Sequence, residues 1–280
     1  MKSIIHGNTT VFGSVSAVIA VFCFSTNDVA IKFISDDYAL HLVILIRSLV
    51  GLTVLFLFIV PFSGGLPTLH TNRLGLHLLR GFCVVFANIT FFLGLAALPL
   101  AEGVAIFFIS PLLITVFSVL FLKEFVGPRR WAAVTIGLIG VIVVLRPGSA
   151  TFQTASLLPL LAAFGYATLH MLTRYIGKTE SAASMSFYIQ ITFLIVCLMF
   201  GVTVGDGKFS GGSDPSLEFL FRAWSWPSSN HYLILILIGA SSAFGGFFIS
   251  QAYRISEAAV VAPFEYIALP IAIFWGVIVR

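Results

Sequence analysis

FFLGLAALPLAEGVAIF, residues 91–107, is followed 156 positions later by FFISQAYRISEAAVVAP, residues 247–263. Phe91 and Phe92 fall on Phe247 and Phe248, Ala96 falls on Ala252, and the acids Glu102 and Glu257 miss register by one place. Each run closes one apolar segment and opens the next, and each next segment carries a proline, Pro111 or Pro270. Earlier in each half, NDVAIK (27–32) parallels LHMLTR (169–174) at an offset of 142. Each match is weak alone; their shared order makes the chain a twofold repeat.

The repeat is written in an apolar alphabet. Of 280 residues 59% are hydrophobic and 9% charged, against about 25% charged in a soluble domain. No water-facing surface can be built from this, so an integral membrane protein with several spans is expected. The net charge of +4 comes from basic residues scattered over short connections. They form no stripe that would track phosphates, which argues against a nucleic-acid partner. Cys23, Cys83 and Cys197 all sit in apolar runs with no CxxC or Cys/His spacing. Neither a disulfide framework nor a metal site is supported, and the cysteines read as small packing residues. No cofactor motif is present. The first apolar run starts near Val11 and lacks a small-residue cleavage motif, so it reads as a retained helix.

About 20 apolar residues cross the hydrocarbon core as a helix. Nine segments qualify or nearly so: 11–34, 40–62, 75–97, 101–122, 130–146, 153–175, 183–204, 231–253 and 259–279, here spans 1 to 9. The runs are continuously apolar and not alternating, which excludes membrane strands. Span 5 is the shortest, and Arg146–Pro147–Gly148 ends it. The connection 205–230 is long and polar with an apolar middle. Leu217–Trp226 reads equally as a short interfacial helix, with Trp224 and Trp226 at headgroup level, or as an unstructured loop. With the N-terminus in the cytoplasm, the inner side holds nine Lys and Arg and the outer side five. The positive-inside rule therefore favours that orientation.

Span 1 corresponds to span 6, so the repeating unit has five helices. An odd number of crossings inverts the second unit relative to the first. Inverted repeats around a central site are a transporter architecture. The expected fold is thus all-α, with two inverted five-helix units: 11–148 (spans 1–5) and 153–280 (spans 6–9, incomplete). Ten spans are expected and nine are present, and the simplest account is that a tenth, peripheral or dimer-facing helix is cut off. A genuine nine-span protein is the alternative.

The stretch LPLAEGVAIFFISPLLITVFSVLFLKEFVGPRRWAAVTIGLIGVIVVLRPG (98–148) carries a proline in span 4, the acid Glu124 after it, an Arg-Trp entry to span 5 and a glycine-rich span 5 ending in RPG. It resembles the end of a first EamA domain, and APFEYIALPIAIFWG (262–276) resembles its second-domain counterpart. The whole chain is similar to the drug/metabolite transporter superfamily, in its branch with paired EamA domains. The NDVAIK of span 1 and the Arg47–Ser48 of span 2 are similar to a branch that includes S-adenosylmethionine uptake carriers. The resemblance implies transport of a small metabolite and leaves its identity open, since the superfamily moves amino acids, nucleotides, vitamins and drugs.

A charge near the bilayer centre costs about 2.5–3.5 kcal/mol on insertion scales, so such residues face a cavity or a partner. Here they are Asp28, Lys32, Arg47, His170 and Glu265. Asn27, Asn88, Tyr166, Gln190, Tyr266 and Trp275 join them as candidates for a substrate path, although packing is the default role of the aromatic ones. At 1.5 Å per residue, Asp28 and Arg47 lie about 9 and about 10 Å below the same boundary on consecutive helices, so an ion pair between them is expected. It would either fix the helices or line the path and face a zwitterion's charges. Lys32 follows Asp28 by four residues, a favourable order, and can snorkel outward. Through the repeat, Asp28 maps to His170 and Arg47 falls within one place of Gln190, at the matching depth near the other side. An imidazole titrates near physiological pH, so His170 is a candidate for proton coupling. The bland alternative is a neutral histidine bonded between helices. Glu265, between Pro263 and Pro270, is a second proton-coupling candidate on a helix that prolines permit to kink. Glu102 and Glu257 read as acids complementing helix starts, and Gly137/Gly140 and Gly245/Gly246 as sites of close helix contact.

A secondary active transporter of a small polar metabolite, working by alternating access in the inner (plasma) membrane of a bacterial cell, is the expected function. Its partners would be that metabolite, the lipid bilayer and a coupling ion such as a proton, with homodimer formation left open. A membrane enzyme is the competing class, but HxxxxD, HExxH, GxSxG and a phosphate-cradling glycine loop are all missing. A lipid flippase would need a basic headgroup pocket, and Arg47 is the one arginine expected deep in the membrane. Transport direction, uptake or export, stays open.

Overall fold

A computed structural model describes residues 2–145 and 153–278, apart from some side chains near the two ends and in span 5. Arg146–Pro147–Gly148 and Arg280 lie outside the described residues. The described chain is helical with no strand. Hydrocarbon offers no partner for backbone N–H and C=O groups, so each long apolar run closes its hydrogen bonds within itself. Eight helices among the described residues are long and apolar enough to cross a bilayer, from Thr10–Phe33 to Ala258–Trp275. A further helix, Pro128–Leu145, fills the fifth expected position. The first helix starts at Lys2, ahead of the expected boundary. The chain is a multi-pass membrane protein.

Packing follows small residues. Ala17 and Ala20 of span 1 are fully buried against Ala252 and Ile249 of span 8. A Cβ on Gly245 would stand 3.0 Å from the Phe24 ring, so that helix pair needs a glycine there. Gly140 has open space around it, contrary to the close contact expected of it. Span 1 packs along span 8, and span 3 along span 6; span 2 lies against spans 7 and 8, and span 7 against span 3. The second part of span 4 packs on span 6, and span 9 packs on span 1. Exchanging spans 1–4 for spans 6–9 turns each of these pairings into another on the same roster, except that of spans 2 and 7, which maps onto itself.

Two spans are broken, spans 4 and 9, each beside a proline. Span 4 runs Leu100–Phe107, pauses at Phe108 and Ile109, and resumes as Ser110–Leu122 with Pro111 in its first turn. Span 9 runs Ala258–Val261, tightens into a 3₁₀ stretch Ala262–Ile267 around Pro263, and continues as Ala268–Ile278. Proline lacks an N–H and pushes the preceding residues out of regular geometry.

The two faces of the molecule differ. On one face the 205–230 connection forms a short helix, Pro215–Phe221, capped by the Asp214 carboxylate accepting from Ser216 N and Leu217 N. It is shorter than Leu217–Trp226. Trp224 stacks on His41 at 5.7 Å, while Trp226 is exposed. The Arg222 guanidinium donates to Ser35 O at 2.9 Å. Lys32 does not pair with Asp28 or run free to the boundary: its ammonium donates to the carbonyls of Leu95 and Leu98, capping the end of span 3.

The opposite face is laced by charge. Arg174 Nε donates to Glu124 Oε1 at 3.0 Å, and Glu124 Oε2 accepts from Ala258 N at 3.1 Å. Arg254 Nε donates to Glu180 O at 2.9 Å, and His77 Nε2 lies 3.1 Å from Glu180 Oε2. Connections from both halves are therefore tied together there.

Candidate substrate cavity

Between the faces, spans 1–4 and 6–9 enclose a cavity of about 150 Å³, room for on the order of ten waters. Both broken helices reach it, span 4 through Phe107 and Phe108 and span 9 through Glu265 and Ala268. Eight of the expected path residues line it: Asn27, Asp28, Arg47, Asn88, Tyr166, His170, Gln190 and Glu265. Tyr266 and Trp275 are not among its lining residues; Tyr266 packs on Phe108 and Trp275 on Phe274.

The expected Asp28–Arg47 ion pair does not form. Arg47 Nη1 instead donates to Asn88 Oδ1 at 3.0 Å, and its guanidinium lies 4.5 Å from the Phe193 ring centre. Asp28 Oδ1 accepts from its neighbour Asn27 Nδ2 at 3.2 Å. The two side chains share a cavity, but each is held by a neutral amide.

Towards the charge-laced face, His170 is stacked on Tyr253 with centroids 4.1 Å apart and meets Tyr166 edge-on at 4.2 Å. Neither His170 nitrogen has a protein hydrogen-bond partner, which removes the histidine bonded between helices as its account. The Tyr253 hydroxyl donates to Glu265 Oε1. Tyr253 is fully buried and was missed in the sequence, where a tyrosine near a span's end reads as packing.

Arg80 was also missed. It counts there as an inner-side flanking charge, yet it is 1% exposed and lines the cavity. Its Nε donates to Thr173 Oγ1 at 3.1 Å and its Nη1 to Met185 O at 3.4 Å. Its place six residues inside span 3 was the available signal.

Buried polar atoms are nearly always paired. Around this cavity five are not paired within the protein: Asn27 Oδ1, Arg47 Nε, both His170 nitrogens and Gln190 Oε1. The side chains that carry them come from spans 1, 2, 6 and 7, and all four line one aromatic-walled space. Hydrophobic lining with a few convergent polar groups is the make-up of a small-molecule site. Among the described residues no group of His, Cys, Asp and Glu is arranged to hold a metal.

Comparison with known proteins fits this geometry. The model of the EamA-like transporter family matches residues 11–146. A riboflavin transporter of Brucella anthropi is 31% identical over 216 residues, covering 77% of this chain and 71% of that protein. The chain belongs to the EamA-like transporter family. An S-adenosylmethionine uptake transporter of Rickettsia prowazekii is 29% identical over 248 residues, 89% of this chain and 77% of that protein. A solved crystal structure at 17% identity superposes with a TM-score of 0.67 over 97% of this chain and 94% of that one, which supports the fold. This EamA-like protein of the drug/metabolite transporter superfamily is a small-molecule transporter and not an enzyme. Flippase activity is not favoured.

Proposed function

We propose that this EamA-like transporter carries a small polar metabolite across the plasma membrane by alternating access. Two units, 11–148 and 153–280, would form inverted repeats that rock about the cavity, with the N-terminus cytoplasmic. One observation carries the proposal: side chains with unpartnered buried polar atoms, drawn from spans 1, 2, 6 and 7, line a central cavity that both broken helices abut. Broken helices at a mid-membrane site are the means by which such carriers bind and move. The symmetric helix pairing supports the repeat, and the names of the relatives support uptake of a molecule with a flat heteroaromatic ring, such as S-adenosylmethionine or riboflavin. A proton is the coupling ion we favour, carried by Glu265 with Tyr253 and His170 beside it.

Counterflow in liposomes tests this. The purified chain should exchange at least one of labelled S-adenosylmethionine, riboflavin and the common amino acids. Well-folded protein that exchanges no member of such a panel would count against transport of this class. Insensitivity of net uptake to an imposed pH gradient would remove the proton.

A further inference from the structure

We infer that one corner of the cavity is a clamp for a zwitterion, with Asp28 and Asn27 taking an ammonium group and Arg47 a carboxylate. The inference rests on the transport function proposed above. It narrows the substrate to molecules with an α-amino acid head and an apolar or aromatic tail.

The first ground is a pair that is not made. A carboxylate and a guanidinium enclosed at one depth attract strongly in a low dielectric, and an unpaired buried charge costs several kcal/mol. If their purpose were to hold spans 1 and 2 together, contact between them would be the stable arrangement. Instead Asn27 occupies Asp28 and Asn88 occupies Arg47. Neutral amides keep the charges in position without cancelling them. Asp28 keeps partial accessibility while surrounded by helices, because it faces the cavity.

The second ground is what each amide leaves over. Beside the acid, Asn27 Oδ1 is an acceptor with no protein donor; on the base, Arg47 Nε is a donor with no protein acceptor. An ammonium offers only donors and a carboxylate only acceptors. The unmatched atoms are thus of the right kind on each side: acceptors about the acid for the ammonium, a donor on the base for the carboxylate. Gln190 Oε1 adds another free acceptor. Gly51 makes room for its amide; a Cβ on Gly51 would stand 2.7 Å from Gln190 Nε2.

The third ground is the wall. Arg47 lies over Phe193, a contact that steadies the guanidinium while leaving its charge in place. Phe91, Phe92, Phe107 and Phe108 supply a surface that suits an apolar or flat tail.

The test uses the full-length chain in liposomes and sets of three competitors: S-adenosylmethionine or L-phenylalanine, the decarboxylated counterpart, and the deaminated counterpart. At least one zwitterion should compete for exchange better than both of its counterparts, by about tenfold or more. Arg47→Gln should erase the preference over the decarboxylated compound and spare the other. Asp28→Asn should erase the preference over the deaminated compound. Arg47→Lys should keep part of what Arg47→Gln loses. If the wild type exchanges riboflavin or another probe but treats each zwitterion and its counterparts alike, the clamp is overturned and transport stands. If the folded wild type exchanges nothing, both fall. The ratio read on the wild type does not depend on whether a variant folds, and a purely structural arginine would lower all three rates together without changing their ratio.

Discussion

Glu124 and Arg174 are joined at 3.0 Å, and the same Glu124 carboxylate accepts from Ala258 N at 3.1 Å. One side chain in the connection after span 4 thus holds both the end of span 6 and the start of span 9. Both partners are largely shielded, Glu124 at 10% and Arg174 at 23% side-chain exposure. Removing either should cost about 1–2 kcal/mol, between the values for exposed and buried pairs. A double-mutant cycle with Glu124→Gln and Arg174→Gln, read by thermal unfolding in detergent, should show coupling between the two; simple additivity would mean that the contact contributes nothing.

Glu265→Gln keeps the volume of the side chain and its hydrogen bond to Tyr253 while removing the ability to cycle a proton. Exchange at equal pH on both sides should survive, and accumulation driven by a pH gradient should be lost. Accumulation at the wild-type level would dismiss Glu265 as the coupling group.

Gly177 ends span 6 against the backbone at the end of span 8. A Cβ there would stand 2.9 Å from Arg254 Cα and 3.0 Å from Thr173 O. Backbone cannot step aside as a side-chain tip can, so Gly177→Ala should destabilise this packing by about 1–3 kcal/mol. The readout is a lower unfolding temperature with greater thiol labelling of a cysteine placed at Ser184, on the same face.

Arg222 ties the long connection to the carbonyls of Ser35 and Tyr38. Arg222→Ala should speed limited proteolysis between residues 205 and 214 severalfold while leaving the unfolding temperature within about 1 °C, since such exposed segments open far below global unfolding. Unchanged cleavage would show that Trp224 and Ser216 hold the segment without it.

The spans were legible because continuous apolar length is a one-dimensional signal, and the bilayer reads it directly. The polar groups within the spans were legible too: Asp28, Arg47 and Asn88 all line one cavity. Azimuth was not. Counting residues places Asp28 and Arg47 level but does not show which way each side chain turns, so Asn88 took the place expected for Asp28. Arg80 was obscured for another reason. A basic residue near a span's inner end satisfies the positive-inside rule equally whether it faces lipid headgroups or the interior, and only the Thr173 and Met185 oxygens on neighbouring spans decide between them. Tyr253 and Glu265 lie twelve residues apart on successive spans, and their meeting depends on the tight turn of span 9 around Pro263.

That turn, with the pause in span 4 at Phe108, bears on leakage. In an unbroken rod, tilting one end tilts the other, so a passage that opens on one side of the membrane tends to loosen on both. A rod jointed at mid-membrane can yield at one end while the other stays shut. Ser110–Leu122 can follow the charge-laced face while Leu100–Phe107 stays with the opposite one, and the two parts of span 9 can do the same. Carriers differ from channels in never connecting the two aqueous sides at once, and under the alternating access proposed above these two joints would supply the mechanical independence that such a seal requires.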